Sequence, residues 1–107
     1  MEVNEIYNTL GQYLLEIIPT HLSSWTKAEL ILKIQGDYIS YSSVCFQQDK
    51  KKYLNSAKDT NLEKKIHNLH QFTTRDGKNK WNKAKFILYP DYNFKMEFFW
   101  DKELAAH

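Results

Sequence analysis

The stretch KWNKAKFILYPDYNFKMEFFWDKE, Lys80 to Glu103, sets eight aromatic residues around a single turn signal. Ala84, Phe86 and Leu88 alternate with lysines and Tyr89. Pro90-Asp91-Tyr92-Asn93 then reads as a turn, because proline presets φ for its second position and Asp or Asn side chains bond their own backbone. Beyond it, Phe94, Met96, Phe98 and Trp100 alternate with Lys95, Glu97, Phe99 and Asp101. A period of two on both sides of a turn predicts an antiparallel hairpin. Its inner face is nearly all aromatic and large aliphatic, with Trp100 expected inside and Glu97 and Asp101 sharing the other face.

Working outward, the same period appears earlier in the chain. Ala28, Leu30, Leu32 and Ile34 alternate with Lys27, Glu29, Ile31 and Lys33, which predicts a strand opening near Trp25 with one buried face. Gly36-Asp37 breaks it, and Tyr38 to Phe46 reads as its hairpin partner. A short third strand is expected over Lys52 to Asn55. Two segments carry helical spacing instead. Val3, Ile6, Tyr7, Leu10, Tyr13, Leu14 and Ile17 form an apolar stripe over residues 3 to 18, stopped by Pro19, with Gly11 a candidate point of close packing. Leu62, Ile66 and Leu69, extended by Phe72, form a thinner stripe over residues 60 to 74. Asp59 or Thr60 is the N-cap, Thr60 and Glu63 match a capping box, and Arg75-Asp76-Gly77 ends the helix. The expected architecture is therefore α+β: two layers, an antiparallel sheet of four to five strands with two helices, in the order α-β-β-(β)-α-β-β.

The chain has 107 residues, enough for one domain over its whole length, and 42% are hydrophobic, enough for a core. No apolar run approaches the roughly 18 residues of a membrane span, and MEVNEIYNTL lacks the basic start of a signal peptide, so no membrane is expected and the cytoplasm is the expected compartment. The lone Cys45 fits a reducing compartment. Leu104-Ala105-Ala106-His107 is expected to be a frayed end.

Reactive groups are sparse. His67 and His70 lie three apart on a helix, but a metal would need Cys45 or His21 brought to them, so two ordinary surface histidines are expected and no metal or cofactor is implied. Cys45 sits in a strand between Val44 and Phe46, the setting of a buried structural thiol. Gly11, Gly36 and Gly77 are isolated, so no phosphate-cradling loop exists. No catalytic residue is assigned, and enzymatic activity is not expected.

Charge is uneven. Residues 1 to 49 hold two lysines against six carboxylates, residues 50 to 85 eleven basic groups against three acidic, and residues 86 to 107 two against four. Lys78, Lys80, Lys83 and Lys85 around Trp81 make a Lys-rich nucleic-acid-binding module the alternative function. Fourteen of the fifteen basic residues are lysine, however, which disfavours base readout and bidentate phosphate grip.

The chain as a whole resembles the YezG-like immunity proteins, antitoxins of bacterial polymorphic toxin systems, and is similar in size and style to immunity proteins of contact-dependent growth inhibition. The resemblance is carried by the first helix closing on Ile18-Pro19, by Trp25 before the first strand, and by Trp81, Phe86, Leu88, Asp91, Phe94, Met96, Phe98 and Trp100-Asp101. It departs from the family in Lys64, Lys65, His67 and His70, where the second helix is usually acidic, and in Tyr92-Asn93, where a glycine usually follows the turn acid. The resemblance implies binding to a cognate toxin domain, commonly a nuclease, and occlusion of its active site or groove. A basic groove would favour contact through Glu97, Asp101 and Glu103, with Tyr92 and Trp100 as aromatic anchors. Monomer and homodimer are both left open.

Overall fold

The computed structural model describes residues 3–20, 22, 24–75, 77 and 80–106. Helix α1 (Val3–Ile17) is followed by strands β1 (Lys27–Gln35), β2 (Tyr38–Gln47) and β3 (Lys50–Leu54). Helix α2 (Thr60–Thr74), strands β4 (Lys83–Leu88) and β5 (Phe94–Phe99), and the short helix α3 (Lys102–Ala105) complete the chain. The expected α+β order is the observed one, with all five strands antiparallel in the spatial order β3-β2-β1-β4-β5.

The alternation in β1 explains the layering. Ala28, Leu30, Leu32 and Ile34 point to one side, and the register sets Ala84, Phe86 and Leu88 of β4 on that same side. Ile6, Leu10, Tyr13 and Leu14 of α1 and Leu62, Ile66 and Leu69 of α2 close over them. Leu30 and Leu32, on the central strand, are fully buried. Truncating either to Ala removes about 2–5 kcal/mol of stability, because the cavity adds to the lost transfer energy. Helix α2 also carries the chain from edge strand β3, across β2 and β1, to β4.

Local chemistry fixes the ends. Pro19 halts α1 as expected. Gly36 takes φ 58 in the two-residue turn between β1 and β2, whose first central residue must be left-handed. Asp59, in extended conformation, caps α2 by accepting the Leu62 N–H at 3.1 Å. The capping box does not form: Thr60 is already the first helical residue, and the Glu63 carboxylate instead accepts from the Tyr41 hydroxyl at 3.3 Å. That hydroxyl also accepts the Asp59 N–H at 2.7 Å, tying β2 to the start of α2. Arg75 closes α2, and Gly77 follows with φ 74; Asp76 lies outside the described residues.

Several expectations are corrected. Strand β3 begins at Lys50, because Gln48-Asp49 is itself a two-residue turn with Gln48 at φ 57, a position where glycine is usual. Phe72 does not extend the core stripe; it is exposed, with the Arg75 guanidinium 4.6 Å from its ring centre. A Cβ on Gly11 would meet only the tip of the Phe86 ring at 3.9 Å, an ordinary contact, so packing does not require that glycine. Leu104, Ala105 and Ala106 are not frayed: α3 forms, and the Leu104 carbonyl accepts from Gln35 Nε2 at 3.2 Å; His107 lies outside the described residues. Among the described residues no helix is long and apolar enough to cross a membrane.

Candidate functional site

Strand β5 lies at the sheet's edge, paired to β4 on one side only. Its alternation is the expected one, and Phe94, Met96 and Phe98 face the helix layer. The helices do not cover them. Phe94 touches Tyr7 of α1 and Phe86 of β4, with ring centres 5.1 and 5.4 Å apart, yet remains 46% exposed. Phe98 packs on Trp81 at 5.0 Å and remains 40% exposed. Phe99 on the other face and Trp100 just beyond the strand are exposed as well. Each helix-side ring thus rests one face on the core and turns the other to solvent. Such rings are held in place before any contact is made, so little side-chain entropy remains to be lost on binding.

The turn end of the hairpin is equally fixed. Asp91 Oδ1 accepts the Asn93 N–H at 3.0 Å and its Oδ2 accepts from Asn93 Nδ2 at 2.9 Å. Tyr92 is thereby held at φ 69, its N–H donating to the Tyr89 carbonyl at 2.9 Å, and the residue is 69% exposed. Between this turn and α1 runs an open groove of about 510 Å³, walled by Tyr7, Gln12, Leu15, Phe86, Tyr92 and Phe94.

At the opposite end a buried network holds the strand. Trp81 is buried, and its indole N–H donates to Thr73 Oγ1 at 2.8 Å. His70 Nε2 lies 2.9 Å from the Trp81 carbonyl, which can only accept, so that nitrogen carries the proton. The imidazole also stands edge-on to the indole at 4.8 Å. His70 is therefore a strut between α2 and β4, not a surface group. Buried Asn82 pairs with the Asp101 backbone on both sides, accepting its N–H at 2.7 Å and donating to its carbonyl at 2.8 Å. Asp101 Oδ1 then accepts the N–H groups of Glu103 and Leu104 as the N-cap of α3.

The five residues expected at the interface fall into three places. Tyr92 stands at the turn. Trp100, Asp101 and Glu103 gather at the far end, about 25 Å away along an extended strand. Glu97 lies on the reverse face of the sheet, opposite Lys85 in register and 3.6 Å from Lys95 Nζ. Glu97 and Asp101 do not share a strand face, since β5 ends at Phe99 and the Asp101 carboxylate turns to the helix it caps. Trp100 is not inside; it is 53% exposed. The residues that join the two ends are Phe94 and Phe98, which their alternation had assigned to packing, and Phe99, which it had placed on the opposite face.

The remaining reactive candidates are occupied structurally. Cys45 is fully buried, and burial raises its thiol pKa, partly offset by Lys52, so the thiolate is disfavoured. Among the described residues no three His, Cys, Asp or Glu side chains gather to hold a metal; His21 lies outside them. The lysines of residues 50 to 85 do not form one surface. Lys50, Lys51 and Lys52 line the β3 edge, Lys64 and Lys65 ride on α2, and Lys83 and Lys85 sit on β4; Lys78 lies outside the described residues.

No family model matches the chain, and no curated protein matches it.

Proposed function

We propose that this protein is a binding module that grips a protein partner along the aromatic β5 edge, acting as an immunity protein that neutralises a toxin domain by occlusion. One observation carries the reading: the contrast between the two sheet edges. Edge strand β3 presents Lys50-Lys51-Lys52, the usual protection against unwanted strand pairing. Edge strand β5 presents Phe94, Phe98, Phe99 and Trp100, all at least 40% exposed. Such a patch on an unpaired edge is an aggregation hazard unless a partner covers it. Aromatic anchors rimmed by charge are what tight protein interfaces use. Here the rim is Lys95, Glu97, Asp101 and Glu103.

The resemblance to YezG-like proteins supplies the class of partner, and a nuclease domain is the expected one. Inhibition of this kind needs shape and charge rather than reactive groups, so the protein works without catalysis or cofactor. The test is co-expression in bacteria with candidate toxin domains taken from the genes that flank its own. Growth should be rescued by the native chain and not by a variant carrying Phe98→Ser and Trp100→Ser. Rescue by that variant at equal abundance would remove the β5 edge from the account, and failure of the native chain to rescue would remove the toxin.

A further inference from the structure

The helices occupy one side of the sheet, and the strand register assigns every residue of the other side. That helix-free side carries Lys27 and Lys33 of β1, Lys51 of β3, Lys83 and Lys85 of β4, and Lys95 of β5, against the carboxylates Glu29 and Glu97. Both carboxylates are already engaged: Glu29 with Lys27 at 3.4 Å, Glu97 with Lys95 at 3.6 Å. Lys33, Lys51, Lys83 and Lys85 have no carboxylate partner among the described residues. Lys33 and Lys83 stand directly opposite each other on adjoining strands. At a cross-strand Cβ separation of about 5 Å, like charges destabilise the sheet. No carboxylate among the described residues forms a salt bridge with either lysine.

Aromatic rings lie on the same side. Phe99 is directly opposite Lys83, and Tyr53 and Tyr38 are 73% and 68% exposed at the β3 flank and the β1–β2 turn. Of the aliphatic members of this side, Val44 and Ile87 are buried and Ile31, between Ser42 and Lys85, is half-buried, so charge rather than aliphatic surface dominates the face. We infer that the helix-free face binds single-stranded nucleic acid without sequence preference, the Lys33–Lys83–Lys85 cluster neutralising phosphates while the flanking rings stack on bases. Lysine suits this task because it acts as a point charge, whereas the absence of arginine from the face removes bidentate base reading. An anion placed between Lys33 and Lys83 converts their repulsion into attraction, so the site is poised for phosphate. The inference shares Phe99 with the toxin-binding reading but does not depend on it, since the lysine cluster lies on β1 and β4 rather than on the β5 edge.

The experiment is fluorescence anisotropy of the intact protein with labelled oligo-dT and oligo-rU of roughly twelve nucleotides, a length that spans a typical single-strand site. Four lysines without a carboxylate partner, of which Lys51 lies 5.1 Å from the Tyr53 ring centre, predict a log–log salt slope of about −2 to −3 between about 50 and 200 mM salt, since each phosphate contact on a single strand contributes about −0.7. Lys33→Glu with Lys83→Glu should weaken binding at least about tenfold at the lower salt, and the milder Lys33→Gln with Lys83→Gln should weaken it in the same direction if the first variant folds poorly. Lys50→Glu with Lys64→Glu, on the helix side, should change affinity by less than about twofold. Absence of binding at low salt, or equal weakening by the helix-side variant, overturns the inference. Competition by poly-glutamate as effective as unlabelled oligonucleotide also overturns it, in favour of an acidic polypeptide.

Discussion

Replacing Asn82 by alanine tests whether the far end of the aromatic edge is held as described. The side chain is 6% exposed and makes both of its hydrogen bonds to one residue, at 2.7 and 2.8 Å to the Asp101 backbone. It acts as a one-residue extension of the β4–β5 ladder past Phe99, whose carbonyl accepts the Asn82 N–H at 3.1 Å. Alanine deletes both bonds. A net hydrogen bond is worth about 1 kcal/mol, and a buried group left unpaired costs about 1–3 kcal/mol. Asp101 is only half-buried, so water can reach part of what is freed, which places the loss near 2 kcal/mol in all. In a domain of this size that corresponds to a fall in Tm of roughly 8–16 °C. Equilibrium urea denaturation reads the total. Amide hydrogen exchange reads its location: Leu104 and Ala105 in α3 should lose protection while Leu30 and Leu32 in β1 open only with global unfolding. A change below about 0.5 kcal/mol, or loss of protection spread evenly over the sheet, refutes the reasoning.

Three other expectations follow from particular residues. Gly11→Ala should stabilise the protein by about 1 kcal/mol in urea denaturation, because the added methyl meets Phe86 at an ordinary 3.9 Å while the helix gains its propensity; destabilisation would mean that α1 lies closer to β4 than described. Gln48→Gly should stabilise by about 0.5–1 kcal/mol, since it relieves a left-handed φ of 57 in a surface turn, and a lowered urea midpoint would contradict it. Burial raises the pKa values of the Tyr7, Tyr13 and Tyr41 hydroxyls above 10.0 and of the Cys45 thiol above 9.0. These groups hold their protons more tightly folded than unfolded, so their contribution is complete below those ordinary values and is lost as pH climbs through the raised ones. Stability should therefore decline from about pH 9 upward, and Tyr41→Phe should flatten the decline; an unchanged slope in that variant refutes the assignment to Tyr41.

The sequence makes the elements legible, but not their coverage. The stripe from Val3 to Ile17 and the alternation from Ala28 to Ile34 each follow one period without interruption, and Pro19 and Gly36 mark their ends, so α1 and β1 are plain. Gln48-Asp49 is invisible because a turn needing positive φ is filled by a residue that gives no turn signal. The alternation of Phe94, Met96 and Phe98 correctly assigns them to the helix side. It cannot say whether a helix lies above them. Coverage depends on which strands the order places beneath the two helices, and that order puts β5 at an edge. Strand order is also what gathers Lys33 and Lys83, 50 positions apart in the chain, into one row. The acidic residues Glu97, Asp101 and Glu103 look clustered only because they are close in sequence. The end of β5 at Phe99 sets Glu97 on the sheet's reverse face, apart from Asp101 and Glu103 at the start of α3.

The most direct test of the central claim is isothermal titration calorimetry of the purified protein with a candidate toxin domain taken from the genes that flank its own. The account predicts a one-to-one complex whose affinity falls at least about thirtyfold, some 2 kcal/mol, when Phe98 or Trp100 is replaced by alanine in a variant that stays folded. Absence of binding heat, or a complex equally tight in both variants, would contradict it.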